Sequence, residues 1–195
     1  MSLVVAEEFP LDRAIMVSVS TVDPLRELAA AAAEGDNVAV AQLVRATQER
    51  VLRLCSALGS AGEEDDLVQE TYLRAISSLP GYRGEAPVQI WLLSIARRVC
   101  ADHVRRRQRQ RRLIDRIAQH TTERSVAAPE ISPDLLAHLD EDRREAFVLT
   151  QLVGLSYDEA AEIIGCPIGT IRSRVSRARN DLVELALPFT RDAQR

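Results

Sequence analysis

The sequence predicts an all-α protein in which a flexible linker joins two small helical modules. Apolar residues recur at steps of three and four through most of the 195 residues, which is the period of an amphipathic helix. Hydrophobic residues make up 46% of the chain and aromatic residues only 4%, a composition that suits small helical bundles better than β-sandwiches. The apolar period is lost between Gln110 and Glu130, which indicates the linker.

The net charge of −4 hides two basic blocks in an otherwise acidic chain. Residues 97–124 contain 10 Arg and 3 acidic residues, and residues 168–179 contain 4 Arg and no acidic residue. Residues 1–96 and 125–167 instead contain 14 and 9 acidic residues against 7 and 2 Arg. Two separate basic surfaces indicate two contacts with nucleic acid. All 25 positive side chains are Arg, which makes bidentate contacts with phosphate and guanine.

Residues 1–23 mix acidic residues, Pro10 and β-branched residues without a clean period, so we expect a mostly disordered N-terminal extension. The remaining boundaries follow from composition and period. The predicted segments are an N-terminal module at 24–109, the linker at 110–130, a C-terminal module at 131–187 and a tail at 188–195.

Two helices open the N-terminal module. The first is expected from Pro24 until Gly35 interrupts it, and the second from about Val38 to Leu58. The buried side of the second helix is predicted to comprise Leu43, Val51, Leu54 and Leu58.

The third predicted helix, Glu63–Ile76, begins with four carboxylates, which favour the positive end of the helix dipole. Its apolar anchors are predicted to be Leu67, Tyr72, Ile76 and Leu79. Its outward face is predicted to comprise Asp65, Asp66, Gln69, Glu70 and Arg74. A metal site at Asp66 and Glu70 is conceivable, but the sequence offers no third ligand nearby. We therefore favour a solvated or partner-binding acidic face, and we expect no metal or other cofactor.

A loop rich in Pro and Gly, Pro80–Pro87, leads into a helix from Val88 to about Gln110. The apolar side of this helix is predicted to comprise Trp91, Leu92, Ile95, Val99 and Val104, with Trp91 interpreted as a core residue. Eight Arg lie within Arg97–Arg112, more than the C-terminal end of a helix dipole needs. This run therefore favours a face that follows a phosphate backbone.

The C-terminal module is predicted to contain four helices. The first follows Ser132-Pro133, and Asp140 can cap the second, which runs to about Val153. A short helix at Leu155–Ile164, a tight turn at Gly165 and a second helix with Pro167 at its first position then form a helix-turn-helix. The second helix of such a motif enters the major groove of DNA.

The last predicted helix has one apolar and one basic face. Its apolar stripe is predicted to comprise Ile168, Ile171, Val175, Ala178, Leu182 and Leu185. Away from that stripe point Ser173, Ser176 and Arg177, with Arg172 and Arg179 on one flank and Arg174 on the other. No carboxylate occurs from Ile168 to Arg179, which favours DNA contact. An ordinary surface helix with a solvated basic face is the alternative.

Cys55, Cys100 and Cys166 lack the spacing of a metal site, so they are expected to be reduced apolar fillers in a cytoplasmic protein. No apolar run approaches the length of a membrane span, and no export signal is present at the N-terminus.

With these motifs in this order, residues 24–187 resemble an extracytoplasmic-function (ECF, group 4) sigma factor of the sigma-70 family. Asp65-Asp-Leu-Val-Gln-Glu-Thr71 is similar to the family helix that grips the clamp coiled coil of RNA polymerase. A second stretch is similar to the family segment that separates the DNA strands and reads the minus-ten element. It comprises Trp91-Leu-Leu-Ser-Ile-Ala-Arg97, Asp102 and Arg105-Arg106. Two further stretches are similar to the helix-turn-helix with which the family recognises the minus-thirty-five element. They are Leu155-Ser-Tyr-Asp-Glu-Ala-Ala161 and Gly169-Thr-Ile-Arg-Ser-Arg-Val-Ser-Arg-Ala-Arg179.

The resemblance implies a non-enzymatic subunit that binds core RNA polymerase, recognises minus-ten and minus-thirty-five promoter DNA and promotes strand separation. It assigns core binding to Asp65, Asp66, Gln69 and Glu70. It assigns minus-ten DNA to Tyr82, Arg83, Arg97, Arg98, Arg105 and Arg106, with a flipped base held by the loop Tyr82–Val88. It assigns minus-thirty-five DNA to Thr170, Arg172, Ser173, Arg174, Ser176, Arg177 and Arg179. Within that last set, base edges are expected at Arg172, Ser173, Ser176 and Arg177, and phosphates at Arg174 and Arg179.

Two other functions remain open from the residues alone. One is a helix-turn-helix regulator that binds DNA without polymerase, and the other is an enzyme that uses Asp65, Asp66 and Glu70. An inhibitory anti-sigma partner is a habit of the sigma family, and no residue here indicates it directly. The charge segregation also suggests that acidic surfaces of the free protein mask its basic faces, which predicts salt-sensitive compaction.

Overall fold

Helices account for the regular structure of residues 23–115 and 133–192, which are the residues that the computed structural model describes. In these two ranges no strand occurs, so the all-α prediction is confirmed. The predicted extension up to residue 22, residues 116–130 of the predicted linker and residues 193–195 of the tail lie outside the described ranges. None of the described helices is long and apolar enough to cross a membrane.

The N-terminal module contains four α-helices and one 3-10 turn, Leu79–Gly81, between the third and the fourth helix. The helices are α1 (Arg26–Ala33), α2 (Asn37–Leu58), α3 (Glu64–Ser78) and α4 (Val88–Asp115). The last of these continues five residues beyond the predicted end at Gln110.

The C-terminal module contains four further helices, of which the second continues as a π-helical turn, Val148–Leu152. The helices are α5 (Pro133–Ala137), α6 (Glu141–Phe147), α7 (Tyr157–Ile164) and α8 (Ile168–Asp192).

Helix boundaries follow from local capping. Asp140 caps α6 as predicted, because its carboxylate accepts a hydrogen bond from the backbone N–H of Asp142 (3.1 Å). Ser156 and Glu159 form a reciprocal capping box at the start of α7. Gly165 ends α7 in the left-handed conformation (φ 77°), which glycine adopts without a steric penalty. Helix α8 begins at Ile168, one residue after the predicted position of Pro167.

Most of the predicted apolar stripes are buried. The four predicted core residues of α2 are at most 5% exposed, and the middle of the α8 stripe, Ile171, Val175 and Ala178, is at most 1% exposed. Leu67 of α3 and Leu79 of the following 3-10 turn are buried, but Ile76 is 38% exposed, so the prediction that Ile76 anchors α3 is wrong. Ile76 lies three positions after Leu73, which is 58% exposed, so both side chains lie on the solvent side of α3.

Helix α4 is buried on more than the one side that the sequence predicts. Of the predicted residues, Leu92 and Val99 are buried, whereas Trp91, Ile95 and Val104 are only partly buried. Four further residues are at most 3% exposed: Ile90, Leu93, Ala96 and Cys100. The reason is that α4 packs against α2 and α3 in its own module and also against α7 in the C-terminal module. Helix α4 is therefore enclosed by helices of both modules.

The two modules are docked through one continuous hydrophobic cluster. It includes Leu54 and Leu58 of α2 together with Leu136, Phe147 and Leu149 of the C-terminal module. Helix α2 also contacts the π-helical turn, and an Arg53 guanidinium nitrogen lies 3.5 Å from the carbonyl oxygen of Leu152. The contact between modules is thus apolar at its centre.

Cys55 and Cys100 meet inside this cluster, each at most 1% exposed, and all three cysteines are free thiols. The hydrogen bond with Cys55 and burial together raise the pKa of Cys100, so its thiol stays protonated. The two residues fill the core as the sequence analysis expected, although their proximity is not evident from the sequence.

Candidate nucleic-acid interface

The second helix of the helix-turn-helix presents a basic surface to solvent. Arg172, Ser173, Ser176 and Arg177 are all exposed, whereas Ile171 beside them is completely buried. Among the described residues, neither Arg172 nor Arg177 forms an ion pair or a side-chain hydrogen bond. These two guanidinium groups are therefore available to an external acceptor.

Arg174 and Arg179 differ from their neighbours because both have partners within the C-terminal module. Arg174 pairs with Asp142 of α6, and Arg179 donates to Oε1 of Gln151 in the π-helical turn (2.8 Å). These contacts fix α8 against α6. Sequence reasoning missed them because the partners lie 32 and 28 positions apart.

Thr170, the remaining predicted residue of this surface, is half-buried. Its carbonyl oxygen accepts a hydrogen bond from the Ser173 hydroxyl (2.9 Å), so Ser173 has one local partner while its side chain stays exposed.

Helix α3 presents a second surface, which we call the acidic face: Asp65, Asp66, Gln69 and Glu70. The first three are exposed, and Glu70 is half-buried because it accepts a hydrogen bond from Nε of Arg74 (2.7 Å). Arg74 also reaches Asp102 of α4 (3.3 Å), which ties the back of this face to α4. No group of three or more potential metal ligands occurs among the described residues, here or elsewhere.

Two apolar side chains extend the acidic face, and neither was predicted to lie there. Leu73 is 58% exposed and Ile76 is 38% exposed. Their spacing from Asp66 and Gln69 alternates between three and four, so the four side chains form one stripe along the helix. The signal was present in the sequence, but Ile76 was interpreted as core.

The loop Tyr82–Val88, which we call the minus-ten loop after its predicted role, is ordered by its own aromatic residue. The Tyr82 hydroxyl donates to the carbonyl oxygen of Ala86 (2.5 Å), and its ring lies 5.0 Å from the ring of Trp91. Burial raises the pKa of Tyr82, which keeps this hydroxyl protonated as a donor. Arg83, in contrast, points outward with 83% of its side chain exposed.

The predicted minus-ten arginines lie along α4. Arg98, Arg105 and Arg106 are exposed, but Arg97 is not free. Nε and Nη2 of Arg97 both donate to Oε2 of Glu145 on α6, at 3.0 and 2.8 Å. Glu145 is almost fully buried, which makes this the most enclosed ion pair between the modules among the described residues.

A cleft of about 350 Å³ separates the two modules beside this ion pair. Arg97, Arg98 and Arg105 lie on its α4 side, and three acidic residues of α6 lie opposite: Glu141, Asp142 and Glu145. Opposite charges across a narrow cleft attract, so the acidic residues of one module cover part of the arginine face of the other. Such a cleft is what the masking hypothesis requires, and the salt-sensitive compaction of the free protein stays a prediction.

Replacing Glu145 with Arg is expected to separate the modules. The new guanidinium would lie beside Arg97 in a mostly buried contact, and loss of a buried pair costs about 3–5 kcal/mol, with Arg97's partial exposure favouring the lower end. Small-angle scattering should show a larger radius of gyration, whereas Glu162→Arg, an exposed change on α7, should leave it unchanged. An unaltered radius for Glu145→Arg, or a wild-type profile independent of salt, would contradict electrostatic masking.

Comparison with known proteins gives a consistent picture over both modules. Residues 43–110 match the family described as Sigma-70 region 2, and residues 133–182 match the family described as Sigma-70, region 4. The ECF RNA polymerase sigma factor SigC of Mycobacterium tuberculosis (strain CDC 1551 / Oshkosh) is 43% identical over 167 residues, which cover 83% of this chain and 90% of that protein. The ECF RNA polymerase sigma-E factor of Escherichia coli (strain K12) is 33% identical, with coverage of 81% and 92%.

Solved structures that share the fold include two sigma factor complexes. One is CnrH in complex with the cytosolic domain of CnrY, at a TM-score of 0.65 and 30% identity, covering 82% of this chain and 95% of that one. The other is the sigma factor RpoE in complex with the anti-sigma factor NepR from Bartonella quintana. Its TM-score is 0.61 at 31% identity, and it covers 74% of this chain and 94% of that one.

Proposed function

Because the chain belongs to the extracytoplasmic-function class of the sigma-70 family, we propose that it directs RNA polymerase to promoters through three surfaces. These are the acidic face of α3, the minus-ten loop with the arginines of α4, and the exposed residues of α8. The observation that carries the proposal is that an exposed acidic face and an exposed basic recognition helix occur in one chain. A regulator that binds DNA alone has no use for the acidic face.

The acidic face binds core RNA polymerase. Asp65, Asp66 and Gln69 are exposed, and Leu73 and Ile76 continue the same stripe. An apolar centre with a polar rim is the usual anatomy of a protein interface, so the five side chains suit a protein partner better than solvent.

The minus-ten loop and α4 bind the promoter where its strands separate. Tyr82 and Trp91 give the loop a fixed aromatic base, while Arg83 remains exposed beside it. Arg98, Arg105 and Arg106 then follow the backbone, since phosphate contacts need positive charge but no base recognition. Arg97 joins them when the modules separate and Glu145 is displaced.

Helix α8 reads the minus-thirty-five element. Arg172, Ser173, Ser176 and Arg177 face the base edges, and Thr170 contacts the start of the site. Arg174 and Arg179 contribute mainly by holding α8 in place, through their bonds to Asp142 and Gln151. Because these bonds occupy the guanidinium groups, their contacts with phosphates are secondary.

The protein acts in the cytoplasm, where polymerase works, and it performs no catalysis of its own. A further partner is an anti-sigma factor. The solved structures of CnrH and RpoE, which were determined with CnrY and with NepR, support such a partner for this chain.

Run-off transcription with purified core RNA polymerase tests the function. With a library of promoter templates, the full chain is expected to give initiation from a defined subset, whereas core polymerase alone gives none. DNA binding without polymerase and no transcripts from any template would instead favour the stand-alone regulator and would overturn the proposal.

A further inference from the structure

We propose that Asp23 and Arg26 are positioning residues that hold the minus-ten loop in the conformation that captures an unpaired base. The inference rests on the proposed function, because it gives the loop its promoter-binding role. Neither residue belongs to the three surfaces described above. Asp23 was interpreted as the last residue of the N-terminal extension, and Arg26 is the first residue of α1.

The carboxylate of Asp23 joins the start of α1 to the end of the minus-ten loop. Oδ1 accepts from the backbone N–H of Leu25 (3.1 Å), and Oδ2 accepts from the backbone N–H of Val88 (2.6 Å), 65 positions further along the chain. Val88 is both the last residue of the loop and the first residue of α4, and it is completely buried. A buried N–H at a helix start has no partner within its own helix, so Asp23 supplies the missing acceptor.

The negative charge of Asp23 also suits its position at the start of α4. A carboxylate at a helix N-terminus is stabilised by the partial positive charge of the first turn. Because each oxygen serves a different N–H, an amide in its place supplies an acceptor for only one of the two bonds. The bridge therefore requires a carboxylate, and Asn satisfies it only in part.

Arg26 supports the middle of the same loop. Gly84 has a φ of 71°, a left-handed conformation, and the Arg26 guanidinium lies so close that a Cβ on Gly84 would be 2.7 Å from Nη2. The loop backbone thus lies directly on this side chain. Asp23 fixes the end of the loop, Arg26 its middle, and Tyr82 its start.

The apolar contacts beneath the loop follow the same plan. Leu79, which precedes the loop, and Val88, which ends it, share a cluster with Ala29 and Ala32 of α1. Tyr82 and Trp91 pack against that cluster. Helix α1 is therefore the platform on which the loop rests. Capturing a base from the stack costs a few kcal/mol, so a loop that is already ordered retains more of its binding energy for this step.

The test uses holoenzyme, which is core RNA polymerase bound to this chain. It compares the affinity of holoenzyme for an intact DNA strand with its affinity for a strand that lacks one base. The probe is the single-stranded non-template strand of the best promoter from the run-off library, either intact or with an abasic position at each site of the minus-ten element. Wild-type holoenzyme should bind the intact strand more tightly than one particular abasic strand. For Asp23→Ala we expect this ratio to fall about tenfold, which corresponds to about 1.4 kcal/mol and to the loss of one or two hydrogen bonds.

Asp36→Ala is the matched control. Asp36 caps α2 in the same module with the same chemistry, accepting from Val38 N (2.7 Å) and Ala39 N (3.3 Å), but it has no bond to the loop. Thermal melts should show comparable losses of stability for the two variants, while only Asp23→Ala loses base discrimination. Asp23→Asn and Arg26→Ala remove one support each and should give smaller losses in the same direction, which also covers the case that Asp23→Ala fails to fold.

The possible outcomes separate this inference from the function on which it rests. An unchanged ratio in Asp23→Ala and Asp23→Asn, with a normal ratio in the wild type, overturns the inference alone. Equal loss of affinity for intact and abasic strands means that Asp23 only stabilises the fold, and this also overturns it. A wild-type holoenzyme that binds all strands alike overturns the assignment of the loop and the inference with it.

Discussion

Replacing Asp66 with Arg is expected to abolish binding to core RNA polymerase, and Asp66→Ala is expected to weaken it about tenfold or more. Asp66 is exposed on α3 and has no ion pair or hydrogen-bond partner among the described residues, so its charge is available to a partner. Asp66 shares a stripe with Leu73 and Ile76, whose apolar side chains are exposed, so it would lie at the rim of the proposed contact. Reversing a charge that faces a complementary one costs several kcal/mol.

Affinity for core polymerase, measured with labelled protein, checks this expectation. Glu27→Arg is the matched control, because Glu27 is an exposed acidic residue in the first turn of α1 in the same module. Binding of isolated minus-thirty-five duplex should be no weaker in Asp66→Arg than in the wild type. Wild-type affinity for core in the Asp66 variants would show that α3 has another role.

Replacing Arg177 with Ala is expected to relax specificity at one or two positions of the minus-thirty-five element, by about 1–3 kcal/mol for a bidentate contact with a base. The physical reason is that the guanidinium is exposed and, within the described part of the chain, is bound to no other residue. It is thus free to bind a base edge, unlike that of Arg179, which already donates to Gln151.

Competition binding over all single-base variants of the element measures this effect. Arg50→Ala removes one exposed positive charge from α2 and should leave the base preferences unchanged. An equal loss of affinity on every sequence, with a shallower dependence on salt, would instead make Arg177 a phosphate contact.

The recognition helix was predictable because its signal is local. The apolar period from Ile168 to Leu182 determines which side of α8 is buried, and the exposed set Arg172, Ser173, Ser176 and Arg177 follows from geometry alone. The cap at Asp140 was predictable for the same reason, because its carboxylate bonds to a backbone N–H only two positions away. The capping box of Ser156 and Glu159 is equally local, but it was not predicted.

Contacts between modules were not predictable, because nothing in the period of one helix indicates what a distant helix will cover. Leu93 and Ala96 were not assigned to the apolar side of α4, yet both are buried in a helix that also packs against α7. The bond between Arg97 and Glu145 spans 48 positions, and neither residue has a distinctive neighbourhood in the sequence. The hydrogen bond from Val88 to Asp23 was not predictable either, because it spans 65 positions and joins the N-terminal module to the last residue of the predicted extension. The roles of the three surfaces remain predictions until the variants are measured.

The π-helical turn Val148–Leu152 fixes the length of the chain between the two halves of the C-terminal module. Its wider loop of backbone lets Val153 N bond to the carbonyl oxygen of Val148 (2.9 Å), five positions back, and it places Gln151 against Arg179. Deleting one residue here would convert the turn into ordinary α-helix and would rotate everything that follows by about 100° about the helix axis. Helix α8 would then present its proposed DNA-binding face in the wrong direction, although each of its residues was unchanged. In this segment the number of residues therefore matters as much as their identity.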